Sequence, residues 1–510
     1  LSFDEIVRFL SEPKTYSSDT PVEAVQTHGA MVFLVGDEAY KIKRPVHYDY
    51  LDFTAFETRR MMLQRELELN KPSAPEIYLG LVPITQEADG RLALNGTGEV
   101  AEWALHMRRF PATAELSRVA ERGELNFALA EEIGRAIADY HAGIEVREAD
   151  GTTLVTEIAA EFRREFSGMA DIFLATRIEQ FHNLVDAAIS AHASLLSARS
   201  RAGHVRRGHG DLHLGNMVLL DGHPVPFDAL EFDERLGTLD VLYDLAFVIM
   251  DLLHGGLRRQ ANAVLNAYLY RANEPDHFDG LAVLPLFLGI RAGVRAMVLV
   301  QAGRTEGKEA ETIFEKARAY LDHAIEYLSP ATPRLVAVGG FSGTGKTTIA
   351  RHLAPDIDPA PGAIHLRSDL ERKALFGVDP LTRLPQNAYD AKIGREVYAR
   401  LLDRAERTLR AGHSVVIDAV YSAVEERRAL AALAERCDVR LTGLWLQAGE
   451  AVLLRRVAER RGDASDADEA VVRRQLDENK IAALDWVPVE AEGAIPEVLH
   501  KARSALGIAV

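Results

Sequence analysis

Cysteine is almost missing from this chain: Cys437 is the only one in 510 residues. A single thiol excludes an internal disulfide framework and cysteine-based zinc sites, and it suits a reducing compartment. Long apolar runs are missing too. None approaches 18 uninterrupted apolar residues, so no membrane span is expected. The first residues, Leu1-Ser2-Phe3-Asp4-Glu5, have neither a basic stretch nor an apolar core, so no secretory signal is expected and the location read from the chain is cytoplasmic. Excess positive charge is also lacking. The formal charge is −17, and residues 331–510 hold 26 Lys and Arg against 26 Asp and Glu, so the whole imbalance lies in residues 1–330. A surface of that sign disfavours nucleic acid as a partner. It fits either a solvated acidic surface or attraction of a cationic substrate. Disorder is not expected, because 47% hydrophobic residues can build sizeable cores.

Two phosphate-handling signatures of unrelated design stand out against this background. One is His209-Gly210-Asp211-Leu212-His213-Leu214-Gly215-Asn216, followed twelve residues later by Asp228 behind Val225-Pro226-Phe227. The other is Gly340-Phe341-Ser342-Gly343-Thr344-Gly345-Lys346-Thr347, a complete G-x-x-x-x-G-K-[ST] P-loop. Each can hold a nucleoside triphosphate and a metal ion so that a phosphoryl group can move. The length allows two or three domains. A boundary is expected near residue 330. There, residues 313–328 carry apolar residues at helical spacing, Ser329-Pro330-Ala331-Thr332-Pro333 breaks the helix, and Leu335-Val336-Ala337-Val338 leads as a strand into the P-loop. The expected domains are 1–330 and 331–510, with few contacts across the junction.

Residues 1–330 change texture once. Val32-Phe33-Leu34-Val35, a Gly36-Asp37 turn and Ala39-Tyr40-Lys41-Ile42-Lys43 read as a hairpin. A charged helix of about 53–70 follows, then strands around 78–84 and 100–107. Beyond about residue 112 the pattern is helical apart from 208–228. A small sheet-rich lobe (about 1–110) before a large helical lobe (about 111–330) is an α+β bilobal arrangement of the protein-kinase-like kind. The motif His209 to Asn216 with the later Asp228 resembles the aminoglycoside phosphotransferase branch of that fold, which includes choline and fructosamine kinases. The resemblance implies that Asp211 accepts the substrate hydroxyl proton, that Asn216 and Asp228 hold Mg²⁺, and that Asp244 braces the catalytic loop. It makes His209 a brace as well, not a zinc ligand. Lys41, in an A-x-K strand, is the expected phosphate contact, with Lys43 on the same strand face as runner-up. Glu57 is the expected carboxylate partner, with Glu66 as the alternative. Ala101-Glu102-Trp103-Ala104-Leu105 is expected at the interlobe hinge.

In the P-loop, glycines let backbone N–H groups converge on phosphate at a helix N-terminus. Gly340, Ser342, Gly343, Thr344, Gly345 and Thr348 are the expected ATP contacts, with Lys346 on the β/γ-phosphates and Thr347 on the metal. Ser414-Val415-Val416-Ile417-Asp418 reads as a buried strand ending in a carboxylate for the metal shell. An α/β domain with a parallel sheet follows. Beyond the P-loop, the domain resembles small kinases related to zeta toxins, gluconate kinase and polynucleotide kinases. Arg367-Ser368-Asp369-Leu370-Glu371-Arg372 matches their D-x-x-R segment. This implies Asp369 as the base for the acceptor and Arg372 as a substrate contact. Residues 452–461 resemble their lid, with Arg456 and Arg460 one helical turn apart over the phosphates. The chain thus reads as a tandem ATP- and Mg²⁺-dependent kinase acting on small hydroxylated metabolites, sugars or sugar derivatives favoured. The alternative is a regulatory protein in which one domain is a kinase and the other a nucleotide-gated switch.

Overall fold

The structure is a computed structural model that describes residues 2–48, 51–305, 310–478 and 485–508. The chain packs into two compact units. One comprises Leu1–Leu129, Tyr140–Glu148 and Gly203–Asp244; the other comprises Ala130–Asp139, Ala149–Ala202 and Leu245–Val510.

The first unit is built on a six-stranded sheet in the order Glu23–Gln26, Ala30–Val35, Glu38–Lys43, Glu99–Arg108, Tyr78–Gln86, Leu92–Leu94. Every pairing is antiparallel. The expected hairpin forms around Gly36, whose φ of 56° suits a residue without Cβ. Phe33, Val35, Tyr40 and Ile42 bury one sheet face against Ile6, Leu10, Ile84 and Ala104. The helix Phe56–Asn70 buries Arg59, Leu63, Glu66 and Asn70, a stripe at spacings of three and four that is mostly polar. Packing alone does not select such a stripe, and three of its members hold other groups in place. Ala101 to Leu105 is not a hinge. It lies inside the strand Glu99–Arg108, where Glu102, Ala104 and Leu105 are buried and Glu102 pairs with Arg59 at 2.7 Å.

The second unit contains a five-stranded sheet in the order Ile364–Arg367, Val415–Asp418, Arg334–Gly339, Arg440–Gln447, Val487–Glu490. All its pairings are parallel. Leu335 to Val338 and Val415 to Ile417 are wholly buried, as strands covered on both faces require. The helices Lys346–Leu353 and Ile495–Leu506 contribute Ile349, Leu353, Val498 and Leu499 to the core on Val336, Val338 and Val416. Among the described residues, one helical stretch, Pro275–Arg304, is long and apolar enough to cross a membrane, and 72% of its apolar window is buried.

The helix Ala310–Leu328 ends where the Pro-rich break was read, and Arg334 opens the next strand. The expectation of few contacts across this junction is not met. Asn262 Nδ2 donates to Ala363 O at 3.0 Å, and Asn266 Oδ1 accepts from His365 N at 2.7 Å. The buried His413 ring lies with Nε2 3.1 Å from Leu281 O. The reason is physical: Ile364–Arg367 is an edge strand, and its outward N–H and C=O groups need partners. The helix Arg258–Ala272 supplies them from side-chain amides.

Candidate functional sites

In the first unit, chemistry gathers on the loop that follows the strand Val205–Arg207. Asp244 is fully buried, and it accepts His209 N–H through Oδ2 at 2.8 Å and Gly210 N–H through Oδ1 at 3.1 Å. Two charge-assisted bonds to consecutive amides clamp the loop, and Gly210 takes a φ of 84° to present both. His209 Nε2 lies 2.9 Å from Phe227 O, and burial lowers the pKa of its ring. His213 caps the short turn Leu214–Asn216 by accepting Gly215 N–H at 3.0 Å. Both histidines therefore brace the loop, as the resemblance implied for His209. Asn216 Nδ2 donates to Asp211 O at 2.9 Å and to Asp211 Oδ2 at 3.0 Å. The two motif ends thereby fix the Asp211 carboxylate.

Asp228 stands beside them in an unusual conformation, with φ of 62°. A non-glycine residue in this region is held there by its surroundings. Its N–H donates to Tyr78 Oη at 2.9 Å, Ala229 N–H to Asn70 Oδ1 at 2.9 Å, and Leu230 N–H to His209 O at 2.9 Å. Lys41 Nζ lies 2.7 Å from Asp228 Oδ1 and 2.7 Å from Glu66 Oε1. Glu66 is therefore the carboxylate partner of Lys41. Glu57 is not: it is solvent-exposed in the first turn of the helix and pairs with Arg60 at 2.5 Å. Glu57 lies outside the buried stripe of its helix, whereas Glu66 lies on it. Burial works against the charged Asp228, but the Lys41 ammonium prevails and holds its carboxyl below the ordinary value. Burial likewise opposes the charge on Lys41, yet Asp228 and Glu66 drive its pKa well above the ordinary value.

The second site surrounds the P-loop. Gly343 has φ of 87°, and a Cβ there would meet Leu453 O at 2.7 Å; a Cβ on Gly340, at φ of 140°, would meet Leu446 O at 2.6 Å. Only glycine fits either place, which is why the loop can wrap so tightly. Gly345 leads into the helix Lys346–Leu353, so the helix N-terminus faces the loop. Lys346 Nζ donates to Phe341 O at 3.1 Å, and Thr347 Oγ1 donates to Asp418 Oδ2 at 2.5 Å. Ser342, Gly343, Thr344, Gly345, Lys346, Thr347 and Thr348 all line a cavity of about 1170 Å³, together with Asp369, Arg372, Asp418, Arg456 and Arg460. Gly340 lies at the base of the loop, where its N–H donates to Val420 O at 3.2 Å. Arg456 lies on the helix Glu450–Glu459 with Nη1 3.5 Å from Thr344 O; Arg460 caps that helix instead of continuing it, yet still faces the cavity.

Asp369 stands in the first turn of the helix Ser368–Leu375, and burial followed by repulsion from Asp418 raises its pKa. A raised carboxyl in a cavity suits a group that accepts a proton. Arg372 is pre-set: Nη1 donates to Ala388 O at 2.7 Å, and its guanidinium lies 4.9 Å from the centroid of the Tyr389 ring. Burial opposes the charge on Asp418, but the neighbouring His365 ring, with Nε2 3.7 Å from Oδ2, keeps its pKa below the ordinary carboxylate value.

The groups on each site that could hold a metal are hard oxygens: the Asn216 amide and Asp228 carboxylate on one, the Thr347 hydroxyl and Asp418 carboxylate on the other. Such a set fits Mg²⁺, and the Thr347–Asp418 contact brings both second-site donors to one point.

A family model for the phosphotransferase enzyme family matches residues 28–282, half of the chain. The chain belongs to the phosphotransferase enzyme family. A second model, of an AAA domain, matches residues 335–480, so this phosphotransferase carries a P-loop domain fused behind the family domain. An uncharacterized protein of Mycobacterium tuberculosis is 28% identical over 505 residues, covering 96% of this chain and 97% of its own length. Among solved structures, a choline/ethanolamine kinase family protein from Mesorhizobium loti is 13% identical over 64% of this chain and 98% of its own, with a TM-score of 0.36. A sugar kinase from Janibacter is 21% identical over 35% of this chain and 96% of its own, with a TM-score of 0.26.

The site in the first unit also contains residues that no motif announces. Tyr78, Asn70 and Glu231 bind through single side chains from separate segments. Glu66 alone had a signal, the three- and four-residue spacing from Arg59 to Asn70 that marks one helix face. In the P-loop domain, His365 and Tyr389 likewise have no sequence pattern that separates them from ordinary strand and loop residues.

Proposed function

We propose that this phosphotransferase uses ATP at two separate sites, one in 1–330 and one in 331–510, to phosphorylate hydroxyl groups of small metabolites. Sugars or sugar derivatives are the favoured acceptors, and the negative charge of residues 1–330 favours small molecules over nucleic acid. The single cysteine is in keeping with a cytoplasmic setting. The observation that carries the reading is the joined set Asp211–Asn216 and Lys41–Glu66–Asp228 within one unit.

In this mechanism Asp211, held by Asn216, accepts the hydroxyl proton of the acceptor. A carboxylate suffices because the transition state is loose and needs positioning more than a strong base. Lys41 binds the triphosphate, and Glu66 keeps the lysine charged and aimed. Asn216 and Asp228 would hold Mg²⁺, which when bound neutralises charge on the β/γ-phosphates. In the P-loop domain, Lys346 and the loop amides bind the triphosphate, and Thr347 with Asp418 would hold the metal. Arg456 and Arg460 stabilise the transferring group, Asp369 takes the acceptor proton, and Arg372 orients the acceptor.

An ATP-consumption screen over sugars, nucleosides, aminoglycosides and nucleotide-sugars supplies the acceptors. In a Lys346→Ala background, Asp211→Asn should leave Mg·ATP binding near wild type and abolish transfer from the first site, while Asp228→Ala should remove metal-dependent nucleotide binding there. Undiminished transfer by the Asp211→Asn, Lys346→Ala double variant would sink the assignment.

A further inference from the structure

The first site contains a second lysine and a further carboxylate that the mechanism above does not use. Lys43 lies two residues beyond Lys41 on the strand Glu38–Lys43 and so points to the same side. Its Nζ lies 2.7 Å from Glu66 Oε2 and 2.6 Å from Glu231 Oε1. Glu66 is thus shared: one carboxylate oxygen holds Lys41, the other Lys43. The Lys43 side chain is 4% exposed, that of Glu66 0% and that of Glu231 9%. Glu231 follows three residues after Asp228, so the chain of contacts runs from the strand through the helix and back to the Asp228 segment.

We propose that Lys43 and Glu231 are positioning residues for nucleotide binding, which keep Lys41 transferable from Asp228 to the triphosphate. The inference rests on the kinase reading of this site. A cation drawn to Asp228 repels the Lys41 ammonium 2.7 Å from Oδ1, so loading the site favours moving the lysine from Asp228 to the phosphates. Once Asp228 is withdrawn, Lys41, Lys43, Glu66 and Glu231 are two cations and two anions, a balanced buried set. Lys43 neutralises the second oxygen of Glu66, so Lys41 does not have to satisfy that buried carboxylate alone. Without Lys43, Glu66 and Glu231 would confront Lys41 as two buried anions against one cation, and the lysine would be held back from the phosphates. Removing Glu231 instead leaves Lys43 wholly on Glu66 and disturbs Lys41 less.

The charge balance makes a distinctive prediction. Affinity for Mg·ATP is measured by calorimetry on the full chain in the Lys346→Ala background, and first-site binding is the part lost with Asp228→Ala. Lys43→Met should weaken it by about tenfold or more, a coupling of ordinary size for buried charges in contact. Glu231→Gln should weaken it only a few-fold, and Lys43→Met with Glu231→Gln should bind better than Lys43→Met alone, because the double change restores the balance. Lys43→Arg keeps the charge and should remain close to wild type, and thermal melting of every variant separates loss of fold from loss of binding. Additive losses in the double variant, or unchanged affinity in a folded Lys43→Met, would overturn the proposal. If Asp228→Ala removes no binding at all, it is the kinase reading of this site that fails.

Discussion

Arg404 offers a sharp test of how the second unit is held together. Its guanidinium is 5% exposed and donates to Glu371 Oε1, whose side chain is 3% exposed, and to Asn273 Oδ1. It also lies 5.1 Å from the centroid of the Phe278 ring. Glu371 follows Asp369 by two residues on the helix Ser368–Leu375, while Asn273 and Phe278 come from the helical region before the P-loop domain. Arg404→Met would leave a buried carboxylate with only Arg400 Nε, 3.3 Å away. Breaking a buried pair from one side costs about 3–5 kcal/mol, and the Asn273 oxygen keeps only the longer bond from Arg400 Nη2 at 3.3 Å. Arg400 remains as partial compensation, so about 3 kcal/mol is the expected loss. Arg404→Met with Glu371→Met removes both charges and should recover most of it, because an apolar pair of similar volume replaces the ion pair. Urea unfolding followed by tryptophan fluorescence reads the unit through Trp445 and Trp486, with Trp103 of the other unit substituted by Phe in all variants. A single variant within 0.5 kcal/mol of its parent, or a double variant as unstable as the single, would refute the reasoning.

Two further outcomes follow from the titrating groups. Burial and the neighbouring Asp418 raise the pKa of Asp369, so transfer at the P-loop site should lose rate on acidification at a pH above the ordinary aspartate value of about 3.9; Asp369→Ala should abolish acceptor-dependent ADP release with ATP affinity spared, and an unchanged rate would refute the base assignment. Burial lowers the His413 pKa from 6.5 to about 4, so between those values the unfolded chain takes up a proton that the folded chain refuses. Stability from this group is complete above pH 6.5 and falls by about 3 kcal/mol as pH drops towards 4. His413→Gln should show a smaller difference in urea midpoint between pH 7 and pH 4.5 than wild type, and an equal difference would contradict it.

The two sites were legible to different depths. A P-loop is a local object: one short segment carries the glycines, the lysine and the threonine, and the strand and helix around it are adjacent in sequence. His209 to Asn216 is nearly as local, and Asp228 with Asp244 lies within the same stretch. Glu66 was harder, because the choice against Glu57 depends on which helix face turns inward, and the mostly polar stripe of Phe56–Asn70 blurs the usual hydrophobic signal. Glu231, Tyr78 and Asn70 were not legible, since each meets Lys43, Asp228 or Ala229 only through the folding of distant segments. The hairpin and the strands near 78–84 and 100–107 were readable from apolar and β-branched runs. The short strands Glu23–Gln26 and Leu92–Leu94 lack buried side chains and carried no such pattern. The close packing of the helices before residue 330 on the P-loop sheet was missed for a related reason. The Pro-rich break reports the local chain direction, whereas Asn262 and Asn266 act across about a hundred residues.

The amide of Asn266, lying against the strand Ile364–Arg367, bears on how this polypeptide can change over time. It accepts from His365 N and also reaches Ala363 O at 3.4 Å, where Asn262 donates at 3.0 Å, so two side chains of one helix stand where a neighbouring strand would be. If the gene were split at the Pro-rich break, the shorter product would carry that strand bare, with free amides and carbonyls ready to pair with another copy of itself. Such a fragment would be prone to self-association before it could find its former partner. The two halves are therefore inherited as one chain more easily than as two, and a free-standing relative of the P-loop half needs some other cover for that edge.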